Sequence, residues 1–298
     1  MTKSYHVQIN QTKNRSDLNS AINLSKQRGY NLVELMVASI ISVIILLAAS
    51  STFLTTYQLK EQVKTRINYE QDVRNAANLL RSDARQLGNF SCLNPPTASN
   101  LNSIFNGSFT EANNKQFLST RFVGNIGVTP TGGSQQLIMT YINGTYASSL
   151  VGTDCNNNIP NLANRVDAAV YIVGTTASDA VSGLYRVNYS GGRWSAPQLL
   201  VSNVSNVQYS FDYDGHIDAG TNANCPQSLP QSNTPTEAVT NFKSNHLNFT
   251  YDKPPVLIRT TLTITPLQAS ENVNNVNYVI NAMVRSGEVC INNQVKKQ

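Results

Sequence analysis

The sequence predicts an α+β protein in which one long N-terminal α-helix, its first half transmembrane, packs on a mostly antiparallel β-sheet domain. Three observations predict it. Residues 32–54 read LVELMVASIISVIILLAASSTFL, 23 residues in which Glu34 is the only charge; as a helix they span ~34 Å, enough for a hydrocarbon core of ~30 Å. Glycine and proline, the strong helix breakers, are both missing between Gly29 and Gly88, and the first proline of the chain is Pro95. Beyond residue 90, short β-branched runs alternate with Asn-, Ser- and Gly-rich turns, the signature of strands.

Composition bounds the function. A chain of 298 residues suffices for one large or two small domains with a buried core. Only 13% of residues are charged, about half the ~25% usual in soluble proteins, and polarity comes instead from uncharged residues, 38 of them Asn. With 40% hydrophobic residues and a net charge of +5, the chain lacks the low hydrophobicity and high charge of a disordered protein. Residues 1–29 hold Lys3, Lys13, Arg15, Lys26 and Arg28 against Asp17, a balance of +4 that leaves only +1 for the rest. Phosphate binding needs clustered Lys and Arg, so the body is not expected to bind nucleic acid directly.

The elements follow in chain order. The basic Lys26-Gln27-Arg28 keeps the start of the apolar run cytoplasmic and places everything after residue 55 outside. A competing reading is a secretory signal peptide cut near Ala48-Ala49-Ser50. Against it, the helical pattern does not stop there: Val63, Ile67, Val73, Ala77, Leu80, Ala84 and Leu87 recur mostly at three- and four-residue steps, one apolar stripe on an amphipathic helix. Arg66 and Glu70 add an i,i+4 pair worth a few tenths of a kcal/mol. Gly88-Asn89 is the helix stop. One helix is therefore predicted over about residues 30–87, greasy all round at first and on one face afterwards.

Residues 136–142, 168–173, 184–189, 204–213, 256–265 and 276–284 read as strands, most with period-two alternation, separated by turns such as Thr131-Gly132-Gly133 and Ser190-Gly191-Gly192. They are expected to form a sheet packed on the stripe of the helix. Residues 93–130 and 219–250 read as long polar loops with room for an extra hairpin. The aromatics Tyr185, Tyr189, Trp194, Tyr209, Phe211 and Tyr213 fit a stacking surface for sugar or single-stranded nucleic acid less well than core positions of strands.

Four cysteines, Cys92, Cys155, Cys225 and Cys290, all lie on the exported side, which favours disulfides. Three connectivities are open. Cys92–Cys155 with Cys225–Cys290 is favoured because each bridge clips a long loop beside a regular element. No C-x-x-C pair exists, which argues against zinc.

No catalytic pattern is found. His6, His216 and His246 have no partner at metal or triad spacing, and H-E-x-x-H, G-x-S-x-G and G-x-x-x-x-G-K-[ST] are absent. No enzyme activity is expected. One polar cluster stands out: Asp212, Asp214 and Asp218 around Gly215. Three carboxylates at such spacing can converge on Ca²⁺, which takes six to eight oxygen ligands, although the bidentate Glu of an EF-hand loop is missing. The competing reading is a turn that ends a strand, where Asp and Gly are common. No other cofactor is implied.

The junction QRGYNLVELMVASIISVI, residues 27–44, resembles the prepilin signature of type IV pilins: a basic leader ending in Gly29, an aromatic at Tyr30, Glu34 five residues after the cut, then an unbroken apolar run. Most members carry Phe where this chain has Tyr30, and the leader is long. Residues 71–92, QDVRNAANLLRSDARQLGNFSC, and 199–218, LLVSNVSNVQYSFDYDGHID, resemble PilW-type minor pilins in particular. The resemblance implies a type IV pilin-like fold, cleavage after Gly29 by prepilin peptidase and N-methylation of Tyr30. It divides the chain into a cleaved cytoplasmic leader (1–29), a transmembrane and filament-core half-helix (30–54), an amphipathic half-helix (55–89) and an exported disulfide-containing β-rich domain (90–298).

The implied protein is a structural subunit that waits in the inner membrane with its C-terminal domain in the periplasm. It primes pilus assembly with other minor pilins and the major pilin, and sits near the tip of the surface pilus, with a tip adhesin as a further candidate partner. Such pili serve twitching motility, adhesion or DNA uptake. Glu34 is the residue the resemblance marks for assembly. Cleavage would create an α-amino group on Tyr30 about one helical turn from its carboxylate, in the same chain or a neighbour's. Alternatively, Glu34 merely snorkels to the cytoplasmic interface. Two rival functions remain open: a J-type minor pseudopilin of a type II secretion system, and a membrane-tethered exported enzyme or ligand-binding domain.

Overall fold

A computed structural model describes residues 31–109, 115–215, 240–244, 247, 254–265 and 275–285. Gly29, Tyr30, Asp218, His216, His246, Cys225 and Cys290 lie outside the described residues.

The predicted helix is there as α1, Leu32–Gln86. Its stop is the predicted one. Gly88 takes a left-handed φ of +67°, a conformation that costs glycine least, and a Cβ at this position would meet the Phe117 ring at 2.9 Å. The Gly88 N–H donates to the Thr140 carbonyl (3.0 Å), and the Ile142 N–H donates to the Asn89 carbonyl (2.9 Å).

The chain divides into two compact units, residues 1–62 and 63–298. In the first, every residue from 31 to 60 is exposed. The second holds the rest of α1 and all the strands. On α1 the buried residues are Val73, Ala76, Ala77, Leu80, Asp83 and Ala84. The predicted stripe is therefore covered only from Val73 onward: Val63 and Ile67 are 57% and 48% exposed. Periodicity marks which face is apolar. It carries no information on how far along the helix the sheet reaches.

Among the described residues there are eleven strands: β1 (Leu118–Ser119), β2 (Thr129–Pro130), β3 (Gln136–Ile142), β4 (Val166–Thr176), β5 (Asp179–Ser190), β6 (Arg193–Trp194), β7 (Gln198–Ser202), β8 (Val204–Gly215), β9 (Thr240–Ser244), β10 (Leu257–Ile264) and β11 (Val276–Met283). All nine strand pairings are antiparallel. They form two sheets where one was expected. The larger runs β1-β3-β4-β5-β6, with β2 on β4 and β7 on β5; the smaller runs β11-β10-β8-β9. The break falls at Asn203, whose φ of +57° turns the chain between β7 and β8, so that β7 pairs with β5 and β8 with β10. The sheets stay tied across it, since Ser182 Oγ donates to the Val204 carbonyl (2.7 Å) and the Gln135 N–H to the Val207 carbonyl (3.1 Å).

All seven residues of β3 are buried, as expected of a strand covered on both faces. On one face α1 reaches Tyr141, Tyr171 and Arg186 through Asp83. On the other, Phe105 stacks edge-on against Tyr189 (5.0 Å between ring centres) and lies tilted against Trp194 (5.8 Å). Phe105 belongs to the region expected to be irregular, which instead carries a short helix, α2 (Ala98–Ile104), capped by the Thr97 side chain. In the smaller sheet β10 alternates buried and half-buried residues, while Tyr209, Phe211 and Tyr213 of β8 turn inward to the core. The aromatics are thus core residues, with Trp194 at the core's margin.

Candidate functional site

Residues 32–54 of α1 carry the apolar surface read in the sequence. Leu32 is 74% exposed, Leu46 65% and Leu47 66%. Among the described residues this is the one helix long and apolar enough to cross a membrane. Six hydroxyls between residues 39 and 56 are turned back on the helix. Ser39, Ser42, Ser51, Thr52, Thr55 and Thr56 each donate to a carbonyl three or four residues earlier, at 2.8–3.0 Å. A polar group satisfied within its own helix needs no water, which suits the segment to hydrocarbon or to close packing against other helices.

Glu34 sits in the first turn of α1. Its Oε2 accepts the Asn31 backbone N–H (3.3 Å), while the Glu34 N–H donates to the Asn31 carbonyl (2.8 Å). This is the reach-back half of a capping box, with a carboxylate at the positive end of the helix. The carboxylate is exposed and lies against the Asn31 backbone N–H. Farther along, Arg66 Nε meets Glu70 Oε1 at 3.3 Å with side chains 79% and 41% exposed; screening by water leaves such a pair little net effect.

Of the acidic cluster, the described residues include Asp212 and the strand position of Asp214, while Asp218 lies outside them. β8 runs on to Gly215, two residues beyond the predicted strand. Asp212 is spent on an ion pair, its Oδ2 2.9 Å from Arg259 NH2 on the adjacent β10, and Asp214 takes the register position opposite Asn241. Among the described residues no three His, Cys, Asp or Glu side chains are placed to share a metal ion. Asp212 Oδ1 is buried without a hydrogen-bond partner, but a cation there would lie beside the Arg259 guanidinium, whose like charge opposes it. Millimolar Ca²⁺ is accordingly expected to leave the Tm unchanged; a rise not matched by Mg²⁺ and erased by Asp214→Ala would restore the calcium reading.

Of the four cysteines, Cys92 and Cys155 form a disulfide with Cα atoms 4.8 Å apart, the pairing favoured from sequence. It fastens the chain just past α1 to residues 152–158.

Sequence reasoning missed a buried and heavily bonded charged group of the domain. Asp83 projects from α1 into the larger sheet with only 5% of its side chain exposed. Arg186 of β5 grips it with two parallel bonds, Nε to Oδ2 (2.8 Å) and NH2 to Oδ1 (2.9 Å). Tyr171 Oη of β4 donates to Oδ2 at 2.6 Å, and Tyr141 Oη of β3 lies 3.5 Å from Oδ1. Burial, and then the carboxylate beside them, push both phenols well above their ordinary range, so they stay neutral donors. Burial opposes the charge on Arg186, but its bonds to Asp83 outweigh that and raise its pKa. One helix residue thereby ties three consecutive strands. Comparison with known protein families, with characterised proteins and with solved structures finds no match for this chain.

Proposed function

We propose that this protein is a minor pilin of the PilW type, a non-enzymatic subunit that helps prime type IV pilus assembly and enters the filament at or near its tip. One observation carries the reading: a helix with an apolar and wholly exposed first half, which has Glu34 in its first turn just after the prepilin-like Gly29-Tyr30 and continues into a β-rich unit. Such a surface needs cover at every stage. Lipid supplies it before assembly and neighbouring helices supply it afterwards, so leaving the membrane for a filament core exchanges one apolar environment for another. Glu34 would then select the register in which that exchange occurs, by pairing with a Tyr30 amine away from water, where an unpaired charge is costly.

Processing and assembly test the reading separately. N-terminal sequencing of membrane-extracted protein is expected to start at Tyr30, and Gly29→Val to block the cut. A start at Ser50 or Ser51 would instead mark a secretory signal peptide. Glu34→Ala is expected to be inserted and cut normally yet to fall several-fold in sheared pili. Wild-type incorporation of that variant would reduce Glu34 to a residue that snorkels and caps its helix. Deletion of the gene is expected to remove surface pili and leave enzyme secretion intact; the opposite outcome assigns the subunit to a type II secretion system.

A further inference from the structure

Residues 94–104 and 158–163 border an open groove of about 440 Å³ that neither the helix nor the acidic cluster involves. Its walls are fastened together at one end. Besides the Cys92–Cys155 disulfide, Asn94 and Asn158 form a parallel β-bridge. The Asn94 N–H donates to the Asn157 carbonyl (3.0 Å) and the Asn156 N–H to the Cys92 carbonyl (2.8 Å). Asn94 Nδ2 donates to the Asn156 carbonyl (2.7 Å) and to Asn158 Oδ1 (3.3 Å). The groove is therefore formed in advance of any ligand, which lowers the entropy lost on binding.

Its lining specifies the chemistry it accepts. No Asp, Glu, Lys, Arg or His takes part, so nothing there compensates the charge of a phosphate, a carboxylate or an amine. Ile104, Ile159 and Leu162 line it with apolar side chains, and beside them stand the Asn100 amide and the groups that the Asn94–Asn158 contact leaves over, Asn94 Oδ1 as acceptor and Asn158 Nδ2 as donor. Donors and acceptors therefore stand close together, matching a ligand whose hydroxyls do both around a ring with C–H faces. The volume falls within the range of small-molecule sites, roughly 300–1,000 Å³. An extended peptide would add itself to a free backbone edge, but Asn94 and Asn158 already pair with each other. We propose that this groove is a binding site for an uncharged saccharide. The inference stands apart from the pilin reading and survives its failure.

The test uses the full chain in phosphatidylcholine nanodiscs, because maltoside detergents would compete for the site. Saturation-transfer NMR is run with methyl α-glucoside, methyl β-galactoside, N-acetylglucosamine, maltose and lactose. At least one of these is expected to receive saturation. Ala163→Trp, which fills the groove from an exposed wall position, is expected to weaken that sugar at least ~tenfold with an unchanged melting curve. Asn100→Ala, on the exposed side of α2, serves as the second variant should Ala163→Trp melt early. No transfer to any of the five sugars, or transfer that both folded variants leave intact, overturns the proposal. Binding of a proline-rich peptide in place of the sugars overturns it as well, and assigns the groove to a protein partner.

Discussion

Asp83→Ala is expected to destabilise the β-rich unit by about 3–5 kcal/mol, the largest effect of any single substitution outside the hydrophobic core. The substitution does more than remove a hydrogen bond. It leaves the Arg186 guanidinium, with a side chain only 13% exposed, without its counter-ion, and takes from Tyr171 the acceptor it meets at 2.6 Å. An uncompensated buried charge is the expensive product. The measurement is a urea titration followed by Trp194, the only tryptophan of the chain, whose ring packs on Phe105 and Tyr189 and so reports on this unit. The paired replacement Asp83→Leu with Arg186→Met is expected to recover most of the loss, because well-packed apolar residues replace buried ion pairs at little cost. A loss below about 1 kcal/mol for Asp83→Ala would mean that water enters the site and that the grip is a surface pair.

Removal of the Cys92–Cys155 bridge ranks second. Closing a loop of 63 residues restricts the unfolded chain by about 4 kcal/mol in the chain-entropy picture. The double variant Cys92→Ser with Cys155→Ser should therefore unfold at markedly lower urea, with the slope of the transition raised as the unfolded chain expands. Mass mapping of the unreduced protein is expected to yield a peptide pair joined through Cys92 and Cys155. The same map tests the companion pair Cys225–Cys290, for which an alkylatable thiol in the folded protein would be the contrary result.

Much of the fold was legible because its signals are local. The residue run 136–142 became β3 with the predicted ends, and α1 differs from the predicted helix by two residues at its start and one at its end. Period-two alternation placed Tyr209, Phe211 and Tyr213 in the core, as burial bears out. What escaped depends on contacts between distant segments. Asp83 lies three residues after Leu80 and four before Leu87, on the very stripe that packs inward, so a charge on an apolar face was there to be noticed. Its partners on β3, β4 and β5 follow only from the sheet's register. The division into two sheets hangs on one left-handed residue, Asn203, and Asn occurs so often in this chain that its presence there carried no signal. The ends of β4 and β5 were underestimated for a related reason: Gly174 and Gly183 interrupt the apolar pattern, yet Gly174 is a strand residue whose missing Cβ lets the Thr129 carbonyl of β2 approach closely. For the first half of α1, the apolar run and Glu34 were read from sequence, whereas the bond between Glu34 and the Asn31 N–H follows only from the folded geometry.

The late start of helix burial has a practical side for anyone who wants the β-rich part in aqueous solution. A fragment begun at the end of the apolar run would still carry Tyr57, Leu59, Val63 and Ile67, all of them about half exposed and none covered by a strand. A fragment begun at residue 69 sheds all four. It keeps Tyr69, whose hydroxyl accepts the Asn203 amide at 2.6 Å, along with every helix residue that the sheets bury. Twelve or so residues of tether thus carry four exposed large apolar side chains that the shorter fragment leaves behind.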